Sequence, residues 1–270
     1  ASLYKTRPYR DYRDVLEHVD AVSIVTPTTT HFQIARDSLL AGKDVFVEKP
    51  LCGTLSEAEE LVRLAKERGR LLQVGHLERY NPAYQRAKEF IKSPPRLLIA
   101  ERLSPFSGRG IDVDITFDLM IHDLDIIVDI MKYAGLGSQK DCYFTSSGYR
   151  LMTDHIDFAE ARLDFGASQA ILLASRVSKE KKRTLTLLCE EMELFVDFMN
   201  QTLMRAIPLK GELIFEEIPI EKREPLREEL RDFVDCINLR RCPLVSGEDV
   251  LYPLRLTIEI TKLLHRHQPG

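Results

Sequence analysis

The sequence predicts an α/β domain over residues 1–97 followed by an α+β domain over residues 98–270. Between residues 20 and 74 a short apolar, β-branched run, a polar turn and a segment of helical periodicity recur, as in βαβ units. From about residue 97 the pattern changes to long runs with partial alternation, as antiparallel strands require. Length and composition allow both domains, because 270 residues that are 44% hydrophobic and 8% aromatic carry enough apolar material for a core.

The first apolar run, 21–25, is bounded by Thr26-Pro27-Thr28. Residues 31–41 then read as a helix ending at Gly42, where a left-handed C-cap fits. A second run, 44–47, follows two residues later. Both are apolar at consecutive positions, which suits parallel strands covered on two faces. After Pro50, the hydroxyl of Thr54 or Ser56 caps a helix over 56–67 that Gly69 stops, and 71–74 forms a third strand. Further strands are expected over 97–103, 141–149, 156–165, 169–177, 184–198 and 212–220, with a hairpin turn at 165–168 where Gly166 accepts positive φ. Helices are expected over 114–133, 225–239 and 248–265. There is no repeat at solenoid periods and no low-complexity stretch.

Charge and motif content exclude several classes. The 38 Lys and Arg against 42 Asp and Glu leave −4, so no field of one sign recruits nucleic acid or anionic lipid. Nowhere do eighteen apolar residues run together, and residues 1–10 carry charge and a proline where a signal peptide would be apolar. Cys52, Cys142, Cys189, Cys236 and Cys242 are odd in number and widely spaced, and read as reduced, mostly buried thiols of a cytoplasmic protein. No Gly-x-Ser-x-Gly elbow and no Walker loop supports a hydrolase or a nucleotide kinase. A Gly-x-Gly-x-x-Gly string is also absent. The nearest match, Gly108-Arg109-Gly110, runs into a helix of the second domain without a preceding strand.

Three segments carry chemistry. Glu48-Lys49-Pro50 follows a parallel strand, at the edge where open α/β sheets bind ligands, and Pro50 keeps the preceding lysine extended. A surface ion pair before a turn explains the same tripeptide. On the expected helix 114–133, Asp114, Asp118, His122, Asp125 and Asp129 fall at steps of four, four, three and four, one polar stripe on an otherwise apolar helix. Such a stripe needs a cleft or partners. Asp118 lies one turn before His122, close enough to orient the imidazole and favour its protonated form, as a general acid/base requires. Helix capping, a salt-bridge network and a carboxylate–histidine metal facet are the alternatives. Finally, Gly75-His76-Leu77-Glu78-Arg79-Tyr80-Asn81-Pro82 follows the third strand. Gly75 permits close backbone approach, and His76, Arg79, Tyr80 and Asn81 either line the same crevice as Lys49 or form a connector to a helix near Pro82. The basic turn Lys179 to Arg183 reads as a solvated hairpin end, although with Arg176 it could meet a phosphate. His155, His265 and His267 show no ligand spacing.

Taken together, Thr26-Pro27-Thr28-Thr29-Thr30-His31, Ala41-Gly42-Lys43, Glu48-Lys49-Pro50, the segment from Gly75 to Pro82, and Asp118-Leu119-Met120-Ile121-His122-Asp123 resemble the glucose–fructose oxidoreductase, inositol dehydrogenase and rhizopine-catabolism (Gfo/Idh/MocA) family. The likeness continues through Ala174-Ser175-Arg176 and Glu224-Pro225 to Asp249. It implies an N-terminal Rossmann dinucleotide-binding domain, here incomplete, and a C-terminal domain whose large, mostly antiparallel open sheet forms a homodimer or homotetramer. Family members begin with a strand and a glycine fingerprint. This chain begins after both, so a longer protein or a shortened one is expected.

The resemblance further implies NAD or NADP as cofactor and oxidation of a secondary alcohol on a sugar, cyclitol or sugar nucleotide. Within the family, the His76-Leu77-Glu78-Arg79-Tyr80-Asn81-Pro82 and His122-Asp123-Leu124-Asp125 forms are similar to sugar-nucleotide or amino-sugar dehydrogenases, a UDP-amino-sugar 3-dehydrogenase among them. By the same resemblance, His122 takes the hydroxyl proton, Lys49 stabilises the alkoxide and touches the nicotinamide ribose, and Asp118 orients the pair. Thr26, Pro27, Thr28, His31, Glu48 and His76 join Lys49 in binding the cofactor, and Arg79, Tyr80, Asn81 and Arg176 bind substrate. No metal, nucleic acid or membrane partner is expected. Two other readings are a glycosidase of the same family that retains its NAD, and a binding or assembly protein that has lost the dinucleotide.

Overall fold

The computed structural model describes residues 6–108, 110–136 and 142–266. Arg109, Asp141, at which one expected strand begins, and His267 lie outside the described residues. The chain forms two compact units. The first comprises the chain up to His76 together with Glu229–Leu251, and the second comprises Leu77–Glu228 and the residues from Tyr252 onward.

In the first unit, a short helix α1 (Arg13–Leu16) precedes β1 (Ala21–Ile24), α2 (Thr28–Leu40), β2 (Asp44–Glu48), α3 (Leu55–Arg68) and β3 (Leu72–Gly75). The strands are parallel in the order β1-β2-β3. Turn chemistry sets the boundaries. Gly42 and Gly69 take φ of 74° and 60°, which end α2 and α3 at little cost. Thr54 is the residue that caps α3, accepting the Glu57 N–H at 3.3 Å. β2 is central and buried from Asp44 to Val47, as two-sided cover predicts, but β1 is an outer strand with Ser23 exposed.

The returning segment completes this unit. Phe233 packs tilted against Phe46 with ring centroids 5.9 Å apart, Gln73 Nε2 donates to the Glu229 carbonyl at 3.0 Å, and Arg240 donates to buried Asp44 at 2.8 Å. Along the outer edge of β3, Val74 N donates to Val245 O at 3.1 Å and Gly247 N to Leu72 O at 2.8 Å. An otherwise unpaired strand edge is thereby closed.

The second unit begins with a 3₁₀ turn (Leu77–Tyr80), α4 (Pro82–Lys88) and β4 (Leu97–Leu103). A π-helical turn (Thr116–Met120) runs into α5 (Ile121–Tyr133). There follow β5 (Tyr143–Tyr149), β6 (Phe158–Asp164), β7 (Gln169–Ser175), β8 (Lys182–Leu188), β9 (Glu193–Asp197), β10 (Thr202–Leu209) and β11 (Glu212–Ile218), then α6 (Pro225–Leu239), which from Glu229 onward belongs to the first unit, and α7 (Leu251–Arg266). The eight strands order as β11-β10-β9-β8-β4-β7-β6-β5 and are antiparallel except for the β4–β7 pair. The structure thus joins a parallel α/β unit to a unit built on a mostly antiparallel sheet.

The expected strand 184–198 is two strands, because Cys189-Glu190-Glu191-Met192 turns, with Cys189 N donating to Met192 O at 2.9 Å. β10 was not expected. It contains Arg205 and Pro208 and lacks clean alternation, and its pairing with β9 and β11 supplies what its own sequence does not. The sequence pattern changes at about residue 97, whereas packing changes at residue 77. Ala83, Tyr84, Ala87 and Ile91 join Leu98, Leu124, Ile127, Leu172 and Leu185 in the core of the second unit.

β4 alternates strictly, and Leu98, Ala100 and Arg102 share its buried face. A guanidinium on that face needs carboxylates. Arg102, 2% exposed, grips Asp123 of α5 through Nε at 3.0 Å and Nη2 at 2.8 Å, and Glu78 of the 3₁₀ turn through Nη1 at 3.0 Å. Substituting Arg102→Ala leaves two buried carboxylates without their main cation. It is expected to cost about 3–5 kcal/mol of stability in urea unfolding.

Candidate active site

The sequence-derived cofactor residues all lie in the first unit, at the carboxyl ends of its parallel strands. Thr26 and Pro27 follow β1, Glu48 closes β2, Lys49 follows it, and His76 follows β3. The expected helix start at 31 moves forward to Thr28, with Pro27 as N-cap. Pro27 makes no side-chain capping bond, and the first turn of α2 holds no acid. The N-terminal turn of α2 therefore follows the carboxyl end of β1 without an acid of its own.

His31 is 1% exposed, with Nδ1 2.9 Å from Pro50 O and Nε2 2.8 Å from Thr26 O. The ring thus spans the loop after β1 and the loop after β2, and both its nitrogens face main-chain carbonyls. The Lys49–Pro50 peptide is cis. Burial pushes the Glu48 carboxyl up, against the lowering pull of the Lys49 N–H, the Lys49 ammonium and His31.

Gly75 permits a close approach, and the group that approaches is Glu48. A Cβ on Gly75 would lie 2.7 Å from Glu48 Oε2 and 3.2 Å from Glu48 Cα. The two residues are register partners across β2 and β3.

The catalytic candidates Asp118 and His122, and the substrate candidates Arg79, Tyr80, Asn81 and Arg176, lie in the second unit. α5 is buried from Ile121 to Met131, so its acids require partners, and the structure provides them. Arg79 Nε donates to Asp125 at 2.7 Å and Nη2 at 3.2 Å, and Arg79 also pairs with Asp129. Lys88 reaches Asp129 at 2.7 Å and the Tyr84 hydroxyl donates to it. Burial alone would raise the Asp129 carboxyl, but Arg79, Lys88 and Tyr84 outweigh it and hold it below the usual range. Burial dominates at Asp123, whose carboxyl is pushed up despite Arg102.

The polar stripe therefore has several fates. Asp125 and Asp129 belong to a salt-bridge network with Arg79. Asp114 starts the helix: its carbonyl accepts the Phe117 N–H at 3.0 Å, and its carboxylate accepts the Ile156 N–H at 2.8 Å and faces His265 Nε2 at 2.8 Å. Asp118 is half-buried in the π-turn, and His122 sits at the first turn of α5. Turns of the π type recur at functional sites, where they re-aim side chains.

Asn81 caps α4, accepting the Ala83 N–H at 3.1 Å while Nδ2 donates to Phe198 O at 2.9 Å. Tyr80 is 8% exposed. Arg176 donates from Nη1 to Gly110 O at 2.5 Å and from Nη2 to Val113 O at 2.7 Å. In the basic turn, Lys182 pairs with Glu101, and Arg183 lies 3.7 Å from Glu78.

Sequence reasoning missed Arg102 and its pairing with Asp123 and Glu78. A lone charge on the apolar parity of β4 was the available signal. Among the described residues, no three His, Cys, Asp or Glu are grouped to hold a metal, and no helix is long and apolar enough to cross a membrane. All five cysteines are free thiols.

Residues 1–76 match the model of the oxidoreductase family with an NAD-binding Rossmann fold. The chain is 34% identical over 277 residues to a UDP-N-acetylglucosamine 3-dehydrogenase of Acidithiobacillus ferrooxidans, covering 98% of this chain and 87% of the relative. It belongs to the Gfo/Idh/MocA oxidoreductase family. The crystal structure of that dehydrogenase superposes with a TM-score of 0.91 at 33% identity, over 98% of this chain and 85% of the other. The scyllo-inositol 2-dehydrogenase (NAD(+)) of Bacillus subtilis is 27% identical over 96% of this chain and 80% of its own length. An Azotobacter vinelandii inositol dehydrogenase homolog, solved with NADH and myo-inositol, shares the fold at 18% identity, with a TM-score of 0.81 over 96% of this chain and 81% of its own. As a member of this family, the chain is an NAD(P)-dependent oxidoreductase acting on CH–OH groups.

Substituting Gly75→Ala drives a methyl group into the Glu48 backbone and carboxylate. A loss of about 1–3 kcal/mol in thermal or urea unfolding is expected, the range for overpacking.

Proposed function

We propose that the protein oxidises the 3-hydroxyl of a UDP-N-acetylhexosamine, with NAD or NADP as hydride acceptor. The observation that carries this reading is similarity to the UDP-N-acetylglucosamine 3-dehydrogenase over 98% of this chain, which spans both units and exceeds the similarity to the inositol enzymes. Residues at the strand ends of the first unit would hold the dinucleotide, which would accept the hydride. The chain's own residues supply positioning and proton handling.

In this reading Thr26, Pro27 and Thr28 line the dinucleotide edge, His31 fixes the two loops that carry Thr26 and Lys49, and Glu48 and His76 complete that edge. Lys49 donates to the reacting oxygen and stabilises it as negative charge develops. His122 accepts the hydroxyl proton, and Asp118, one helical turn earlier, orients the imidazole. The network partners of Arg79 and the capping bonds of Asn81 make these two residues supports for the substrate side of the second unit. Tyr80 stands with them.

We further assign the outer face of the eight-stranded sheet to contact with a second copy of the chain. Phe195, Leu213 and Phe215 are 37%, 52% and 65% exposed on strands of that sheet, and a lone soluble sheet rarely leaves such side chains bare.

Incubation of the full chain with UDP-N-acetylglucosamine and NAD⁺ or NADP⁺ is expected to give reduced nicotinamide at 340 nm, with far weaker turnover of myo-inositol. Substituting Lys49→Ala or His122→Ala should lower kcat by about a hundred- to ten-thousand-fold while the cofactor dissociation constant changes little. Wild-type turnover of inositol but not of the sugar nucleotide would overturn the substrate, and unchanged kcat in both variants would overturn the roles.

A further inference from the structure

We propose that Arg176 is a positioning residue for Asp118 and acts on it through Gly110. The inference rests on the roles given above to Asp118 and His122. Arg176 follows β7, is 4% exposed, and is anchored from behind by Asp157, whose carboxylate lies 3.8 Å from Nε and whose carbonyl accepts the Arg176 N–H at 3.0 Å. Asp157 is itself immobilised by the N–H groups of Leu151, Met152 and Thr153 at 2.8, 2.7 and 2.9 Å and by the Thr153 hydroxyl at 2.7 Å. Both terminal nitrogens of the guanidinium then bind main-chain carbonyls three residues apart, those of Gly110 and Val113.

That segment lies between β4 and the π-turn and belongs to no strand or helix. Its backbone carbonyls would otherwise be satisfied by water or left unpaired. A planar fork with fixed spacing suits the task, whereas a lysine ammonium is a single point of attachment.

What the fork holds in place is a glycine against a carboxylate. Gly110 takes φ of 63°, and a Cβ there would lie 2.7 Å from Asp118 Oδ2, 3.0 Å from Cγ and 3.2 Å from Oδ1. All three carboxylate atoms therefore face the Gly110 backbone. The loop is a wall that limits rotation of the Asp118 side chain, and Arg176 keeps the wall up. With it relaxed, the carboxylate gains rotamers and water, and the role proposed above for Asp118, orienting the imidazole one turn away, is lost. Misplacement of about 1 Å by a change remote from the chemistry can cost up to about a hundredfold in rate.

The test is a double-mutant cycle with UDP-N-acetylglucosamine as substrate. Arg176→Lys is expected to lower kcat by about ten- to a hundredfold, with KM for the dinucleotide unchanged. Asp118→Asn is expected to lower kcat at least as much, and the double variant should be no slower than Asp118→Asn alone, because the arginine acts only through that carboxylate. Gly110→Ala, which leaves the arginine in place, should show the same non-additivity with Asp118→Asn and keeps the cycle readable if Arg176→Lys fails to fold. Full additivity of both changes with Asp118→Asn would overturn the inference while leaving the function intact. Wild-type kcat in Asp118→Asn, or no turnover by the wild type, would overturn the underlying reading and the inference with it.

Discussion

The guanidinium of Arg102 lies on the apolar face of a central strand, where an isolated charge would cost several kcal/mol in desolvation. Its position is tolerable only because Asp123 and Glu78 meet it at hydrogen-bonding distance from two other elements. The requirement runs both ways. Asp123 sits on a helix buried all round, and Glu78 lies in a buried 3₁₀ turn, so neither carboxylate has water as an alternative. One charge balance therefore fixes β4, α5 and the turn relative to each other. The neighbouring set of Arg79 with Asp125 and Asp129 repeats the arrangement one turn further along α5. Removing either arginine leaves buried acids rather than a simple cavity.

His122 and Asp118 are carried by the end of α5 that this network holds. The π-turn widens the backbone just where Asp118 projects, and the Thr116 hydroxyl ties that turn to Thr261 of α7 at 2.6 Å. Behind it, Asp114, Asp157 and Arg176 bind loop backbone rather than each other's side chains alone. The acids and the arginine each bond to the backbone of irregular chain. The first unit uses smaller devices for the same end. A buried histidine joins two loops through their carbonyls, and a glycine makes room for Glu48 beside Lys49.

Much of the architecture was legible because its causes are local. Consecutive apolar residues between polar turns marked β2, the glycines marked the ends of α2 and α3, and Gly166 marked a hairpin in which it takes φ of 79°. Period-two alternation marked β4, β6 and β7, and the steps of three and four marked α5. Residues 189–192 were read through as strand, because a two-glutamate turn without glycine or proline carries no strong local signal. β10 escaped for the complementary reason, since its neighbours rather than its own residues make it a strand.

For function, the sequence alone determined the family likeness and the order of chemical groups along the chain: Thr26 to His31, Glu48-Lys49-Pro50, Asp118 and His122. Residue type and spacing are one-dimensional properties, so a motif can carry them. Which internal partners the other polar residues meet was decided only by tertiary structure. Asp125, Asp129, Arg79, Asn81 and Arg176 have the same composition as ligand-binding groups, and only their neighbours in space, between 2 and 117 positions away for the bonds of Asn81 alone, show what they hold. Charge pairing and hydrogen bonding act over a few ångströms of space, with no regard for distance along the chain, and that is the physical reason spacing could not settle their roles.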